Sequence, residues 1–258
     1  MLIDDKTAFI IGTGPSLNKI DISKLKDQKT ITFNRAYVAF EDWGFDPTYY
    51  LAIDGNDIRS LYKDINNLIL NSNSEKFFLL RVEDNHLHKP IHFQDEDYRG
   101  NDELYVKSDK LVQLQAIIGN GNGPMLSDTN DDGNTISTPI ITNAGFMGLK
   151  MLYHLGYRKI FLCGMDARYT DDKDYRNVLV DGKSYKASSD EDINHFRNDY
   201  FGKDVFFGKP NQEEIIHIWK TFMTGVKPKY YPDLEIYSCS ENSNLNPFME
   251  YIDFNTLF

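Results

Sequence analysis

The chain has 258 residues, 41% of them hydrophobic and 14% aromatic, with a formal net charge of −11. That length suits one large domain with a real core, the acidic balance excludes non-specific affinity for nucleic acid or a broad basic face for an anionic membrane, and no apolar run approaches the roughly 20 residues that span a bilayer. The opening Met1-Leu2-Ile3-Asp4-Asp5-Lys6 lacks the basic start and apolar stretch of a signal peptide, and the two cysteines, Cys163 and Cys239, lie far apart in apolar runs, so a cytoplasmic protein with buried free thiols is expected.

The first expected strand, residues 8–11, runs directly into Gly12-Thr13-Gly14-Pro15-Ser16. Glycines after a buried strand leave room for a phosphate or sugar to approach backbone N–H groups, so the turn reads either as a nucleotide site or as an ordinary tight connection. Further strands are expected at 30–33, 49–53, 77–81, 159–163 and 235–239. Apolar residues at helical spacing predict helices at 56–70, 143–155 and 211–224, the second ending at Gly156 and the third lying between Pro210 and Gly225. Strands alternating with helices imply an α/β fold, a Rossmann-like, mostly parallel sheet flanked by helices. Two long polar stretches, 83–139 and 166–209, interrupt the rhythm and read as loops near strand C-termini, where open α/β sheets bind ligands.

Several chemistry-bearing segments each follow a strand: the Gly12 turn, Phe33-Asn34-Arg35-Ala36-Tyr37, Asp54-Gly55-Asn56-Asp57 and Gly164-Met165-Asp166. Thr142-Asn143-Ala144-Gly145 opens the middle helix, where Thr142 or Asn143 can cap the helix and the first N–H groups can hold a phosphate. In a parallel sheet all of these converge at one edge. Of the six histidines, His154 and His217 fall inside helices and read as structural, whereas His86, His88 and His92 sit in a polar loop without a firm metal-ligand pattern. Asp128, Asn130, Asp132 and Gly133 match half of a calcium loop, but Pro139 stands at its twelfth position, so the segment reads as an acidic turn. No metal site is expected.

The run Ile10-Ile11-Gly12-Thr13-Gly14-Pro15-Ser16-Leu17, then Phe33-Asn34-Arg35-Ala36-Tyr37, then Asn143-Ala144-Gly145 and Leu155-Gly156-Tyr157-Arg158-Lys159-Ile160 with Gly164-Met165-Asp166, resembles the bacterial sialyltransferases of glycosyltransferase family 42. It is similar also to the related motility-accessory, DUF115 group of Rossmann-like proteins. The resemblance covers roughly 8–53, 142–166 and 235–245 and leaves out 83–139. It implies a single GT-A-like domain over 1–258 with a lid or acceptor subdomain at 167–209. The implied activity is transfer of sialic acid, or a related keto sugar such as Kdo, from a CMP-activated donor to a glycan hydroxyl in cell-surface polysaccharide or lipooligosaccharide synthesis. No cofactor is obligatory on this reading. Partners would be the nucleotide-sugar donor and the glycan acceptor, with at most peripheral contact at the inner face of the membrane and a homo-oligomer allowed.

Carried over by position, the resemblance puts Gly12, Thr13 and Ser16 around the donor phosphate and ribose and Asn34 beside the nucleotide. Gly14, Arg35 and Asp54 are expected at the same site, Arg35 as a further cation for the departing phosphate. Asn143, Ala144 and Gly145 would meet the phosphate or sugar, Gly164, Met165 and Asp166 would border the cytidine pocket, and Asn242 and Ser243 would close its far side. Segment 193–202 resembles the lid of that family, its Tyr200-Phe201-Gly202 putting Asp199 in register with the lid base. His195 is expected as the base, with Asp199 orienting or replacing it, and Tyr169, Tyr175 and Arg168 stand near where groups receive the departing phosphate. Thr13, Asp54 and Ile141 depart from the sialyltransferase pattern and leave the donor sugar open. Two other classes compete. A magnesium-dependent diphosphokinase of the pterin pyrophosphokinase-like group would use Asp54, Asp57 and Asp166 as metal ligands, and a non-catalytic nucleotide-sugar-binding protein would keep the pocket alone.

Overall fold

The computed structural model describes residues 3–81, 104–116, 125–126, 130–131, 133–139, 143–169, 177–179, 184–187, 190–204, 206–208 and 211–258. Its first strands are β1 (Thr7–Ile11), β2 (Thr30–Phe33), β3 (Tyr49–Ala52), β4 (Lys76–Leu80), β5 (Leu111–Ala116), β6 (Asn130–Asp131), β7 (Thr135–Thr138) and β8 (Lys159–Cys163). Then follow β9 (Asn177–Leu179), β10 (Ser184–Ala187), β11 (Phe206–Gly208), β12 (Glu235–Ser238) and β13 (Glu250–Tyr251). The helices are α1 (Phe40–Trp43), α2 (Gly55–Asn71), α3 (Ala144–His154), α4 (Gln212–Thr221) and α5 (Lys227–Tyr230).

Ten strands form one sheet in the order β13-β12-β8-β1-β2-β3-β4-β5-β7-β6. Every pairing in it is parallel except that of β6 with β7. This is the Rossmann-like α/β fold that the alternation of strands and helices predicts. From β1 the chain adds β2, β3, β4 and β5 on one side, then crosses to add β8, β12 and β13 on the other. The order therefore reverses between β1 and β8, and a crevice opens beyond the C-terminal ends of strands at such a point.

β1 is buried along its whole length, and β8 after its first residue. Both read as continuous apolar runs because helices cover the two faces of a parallel sheet. α2 is amphipathic, burying Ile58, Leu61, Ile65 and Ile69 at helical spacing while Leu70 stays exposed. α3 differs: Gly145 to Leu152 are all buried, since the helix lies on β1, β2 and β3 with one face while Phe146 meets Trp219 and Phe222 edge-on. Each such buried aromatic or aliphatic side chain stabilises the layer by roughly 1.5–3 kcal/mol. Gly156, at φ +97°, stops α3 in the left-handed region that favours glycine.

Two stretches expected to be loops contain strands. β5 and β7 extend the main sheet from within 83–139, and β11-β10-β9 make a separate three-stranded antiparallel sheet within 166–209. No helix among the described residues is long and apolar enough to cross a membrane. Both cysteines are buried and free, and burial together with the neighbouring Cys239 thiol pushes the Cys163 thiol up.

Candidate functional site

The turns after β1 and β8 lock together first. Gly12 N–H donates to Cys163 O at 2.7 Å and Gly14 N–H to Gly164 O at 2.8 Å, while Ser16 N–H donates to Asp166 Oδ2 at 2.9 Å. The expectation that Gly12 and Gly14 leave free N–H groups is thus corrected, because the neighbouring turn takes them. The glycines serve close approach instead. A Cβ on Gly12 would stand 2.5 Å from Gly164 O, and one on Gly14 would stand 2.6 Å from Asp166 Oδ2. Gly164 and Ala167 both have positive φ, at 65° and 47°, which folds the second turn back over the first.

A third segment, just after β12, braces both turns. Ser16 Oγ donates to Asp166 Oδ1 and contacts Ser240 Oγ at 2.8 Å, and Met165 N–H donates to Ser240 Oγ at 3.2 Å. Ser243 Oγ donates to Met165 O at 2.6 Å, and Arg168 reaches Asn242 O at 3.0 Å. Ser16, Asn242 and Ser243 therefore hold the turns from outside, and Gly12 lies within the packing between them.

Beyond these turns opens a cavity of about 390 Å³. Its lining joins Thr13, Gly14, Asn34, Asp54, Asn143, Ala144, Gly145, Gly164, Met165, Asp166, Arg168, Tyr169 and His195. Strand C-termini thus bring most of the expected site residues together. At the start of α3 the Asn143 Oδ1 accepts the Phe146 N–H at 2.7 Å, and Ala144 and Gly145, whose N–H groups precede any intrahelical acceptor, border the cavity. Asn34 has φ 54°, its backbone carbonyl accepts from Tyr50 OH at 2.5 Å, and its buried Oδ1 has no hydrogen-bond partner among the described residues.

The other wall comes from 190–204, β11 and the start of α4: Asn194, His195, Tyr200, Phe201, Phe207, Asn211, Glu214 and Ile215. Phe196 N–H donates to Thr13 O at 2.9 Å and Asn18 Nδ2 donates to Phe196 O at 2.7 Å, so the segment carrying His195 is tied to the Gly12 turn. Arg35 does not line the cavity; its Nε donates to Tyr200 O at 2.7 Å. The carboxylate on the His195 ring is Asp192, at 2.8 Å from Nδ1, and not Asp199. Asp199 receives two hydrogen bonds from Arg197, at 2.8 and 3.0 Å, which hold its carboxyl below the usual carboxylate range.

Tyr169 stands within electrostatic reach of Asp192 and Asp166. Burial first, then these two carboxylates, push its phenol up to about 12, so it remains a neutral donor. Its backbone N–H donates to Gln212 Oε1 at 2.8 Å, joining the β8 turn to α4.

Thr142, Tyr175, Ile141, His86, His88, His92, Asp128 and Asp132 lie outside the described residues. Asp57 falls on the first turn of α2. Among the described residues no three His, Cys, Asp or Glu side chains gather as metal ligands would. Sequence reasoning missed Asp192, although its place three residues before His195 in the same short loop is a usable signal. Phe207 and Glu214 gave none, because β11 and α4 reach the cavity only through tertiary packing.

A family model described as "6-hydroxymethylpterin diphosphokinase MptE-like" matches residues 2–172, well over half of the chain. The chain belongs to the MptE-like family. Its fold is similar to that in the "Structure of MAf glycosyltransferase from Magnetospirillum magneticum AMB-1", with a TM-score of 0.50 and 14% identity over 98% of this chain and 34% of that one. The MptE-like chain thus spans about a third of that protein's length, and the likeness speaks to the fold. No curated protein matches it. The motility-accessory side of the expected resemblance finds support here, and neither match names a sialyltransferase.

Proposed function

We propose that this MptE-like chain is a glycosyltransferase that holds a CMP-activated keto sugar in the crevice between β1 and β8. The observation that carries the reading is an imidazole, His195, in the same 390 Å³ enclosure as the first N–H groups of α3. A group able to accept a hydroxyl proton and a site suited to an anion then stand around one space. The cavity reaches from the strand ends to an aromatic wall at Tyr200, Phe201 and Phe207, which suits a sugar between its nucleotide and a hydroxyl acceptor.

In this reading Ala144 and Gly145 N–H groups receive the donor phosphate and Asn34 Oδ1 accepts from a ligand N–H or O–H. Tyr169, kept protonated by its surroundings, and Arg168 donate to the phosphate as its bond to the sugar breaks. His195 takes the acceptor proton. Residues 167–209 would fold over the bound donor.

The family description favours a second reading, an ATP- and magnesium-dependent diphosphokinase. It would place Asp54 and Asp166 on metal. Asp166 fits that role poorly, because Ser16 N–H and Oγ already occupy its two oxygens.

A thermal-shift panel of CMP, CDP, UDP, NAD and ATP, each with and without magnesium, separates the readings. CMP at a hundredfold excess over its dissociation constant is expected to stabilise the fold by about 2.7 kcal/mol, without magnesium. His195→Ala is expected to keep that shift and to lose CMP release from CMP-sialic acid or CMP-Kdo in the presence of glycan acceptor. A shift with magnesium–ATP and none with CMP would replace the transferase by the diphosphokinase. CMP binding with no turnover of either donor would leave a binding protein.

A further inference from the structure

The His195 ring is held on three sides, by Asp192, Tyr200 and Phe201. Asp192 Oδ2 lies 2.8 Å from Nδ1, with the two side chains only 8% and 10% exposed. Asp192 Oδ1 accepts the Asn194 N–H at 2.9 Å, so the carboxylate cannot rotate freely. Tyr200 stacks on the imidazole face with ring centres 4.1 Å apart and planes at 10°, and Phe201 meets it edge-on at 5.0 Å. Among the described residues no hydrogen bond reaches Nε2.

We propose that Asp192 is a positioning residue that fixes His195 as its Nδ1–H tautomer and so presents a bare Nε2 to the cavity. A carboxylate only accepts, so Nδ1 must donate to it, and a neutral imidazole has one proton to give. Nε2 is then left with its lone pair. The inference rests on the reading of His195 as the base. In transfer, the acceptor oxygen bonds to the anomeric carbon while the bond from that carbon to the donor phosphate oxygen breaks. Its electron pair leaves with CMP, and the acceptor proton passes to Nε2. The resulting imidazolium faces the Asp192 carboxylate.

Asp192→Asn separates this role from a loop brace. The amide oxygen can stay on the Asn194 N–H, which keeps the brace, but the new NH₂ then faces His195 Nδ1 and donates to it. The ring must move its proton to Nε2. A group that merely braced the loop would leave the tautomer alone.

The test is an imidazole ¹⁵N spectrum of the full chain at neutral pH, with His195 assigned by the signal missing in His195→Gln. Wild type is expected to show Nδ1 protonated and Nε2 bare, and Asp192→Asn the reverse with its melting temperature retained. Release of CMP from CMP-sialic acid is expected to fall by about a hundredfold or more in kcat, with KM for that donor unchanged. A wild-type ring protonated at Nε2 overturns the proposal, and that measurement stands even if Asp192→Asn fails to fold. An unchanged tautomer in a folded Asp192→Asn overturns it as well. Tautomer reversal combined with undiminished turnover in His195→Ala supports the hold of Asp192 on the ring and removes the base reading alone.

Discussion

Gly12 lies between two turns that could not approach each other around a side chain. Its Cβ would meet a backbone carbonyl, Gly164 O, which cannot step aside, whereas a Cβ on Gly145 would meet the flexible end of Met165 at 2.1 Å. Gly12→Ala is therefore expected to cost about 1–3 kcal/mol, read as a lower urea midpoint, and Gly145→Ala less. The Gly-x-Gly sequence marks a strand end that borders the cavity, but it does not by itself say whether the space is for a ligand or for another strand end. Tyr169 supports a second expectation. Its phenol is raised from 10 to about 12, so its contribution is whole below pH 10 and is lost as pH rises through 12, because the unfolded phenol ionises first. Tyr169→Phe is expected to lose stability less steeply than wild type between those values in a pH series of melting curves.

Segment 190–204 carries His195 without regular secondary structure and is positioned by latches. Arg197 donates to Asp199, pairs with Asp42 and reaches Val38 O at 3.1 Å, while Phe196 packs its ring 5.8 Å from that of Trp43. Exposed ion pairs are each worth only about 0.2–1 kcal/mol, so Arg197→Ala is expected to leave the melting temperature nearly unchanged while amide exchange across 190–204 quickens. Asp199 titrates below its ordinary range, so the latch persists above the usual carboxylate pKa and weakens as pH falls through the depressed one. Such latches are invisible in a linear reading, since their partners lie up to 159 residues away. Periodicity placed six of the ten strands of the main sheet and three helices, and it missed β5, β6, β7 and β13. In β5, Gln113 and Gln115 interrupt the leucines, and β7 has one apolar residue, Ile136, so neither rises above a polar loop.

The whole molecule is an acidic chain, at −11, whose anion-facing elements are amides of one helix and a single lining arginine among the described residues, Arg168. Attraction of a nucleotide is then local to the crevice and not a property of the overall field. That several post-strand segments would meet at one edge follows from parallel topology alone, which is why Asn34, Asp54, Asn143 and Asp166 were legible together. Which of them face the cavity and which, like Ser16 and Ser243, brace it from behind depends on the pairing of β8 with β12. One consequence concerns synthesis. Ser16 and Ser240 touch across 224 positions of sequence, and β12 covers what would otherwise be an open flank of β8. A nascent chain on the ribosome therefore exposes that flank until translation has passed residue 240, and the crevice matures only then, a demand that invites chaperone capture of the emerging polypeptide.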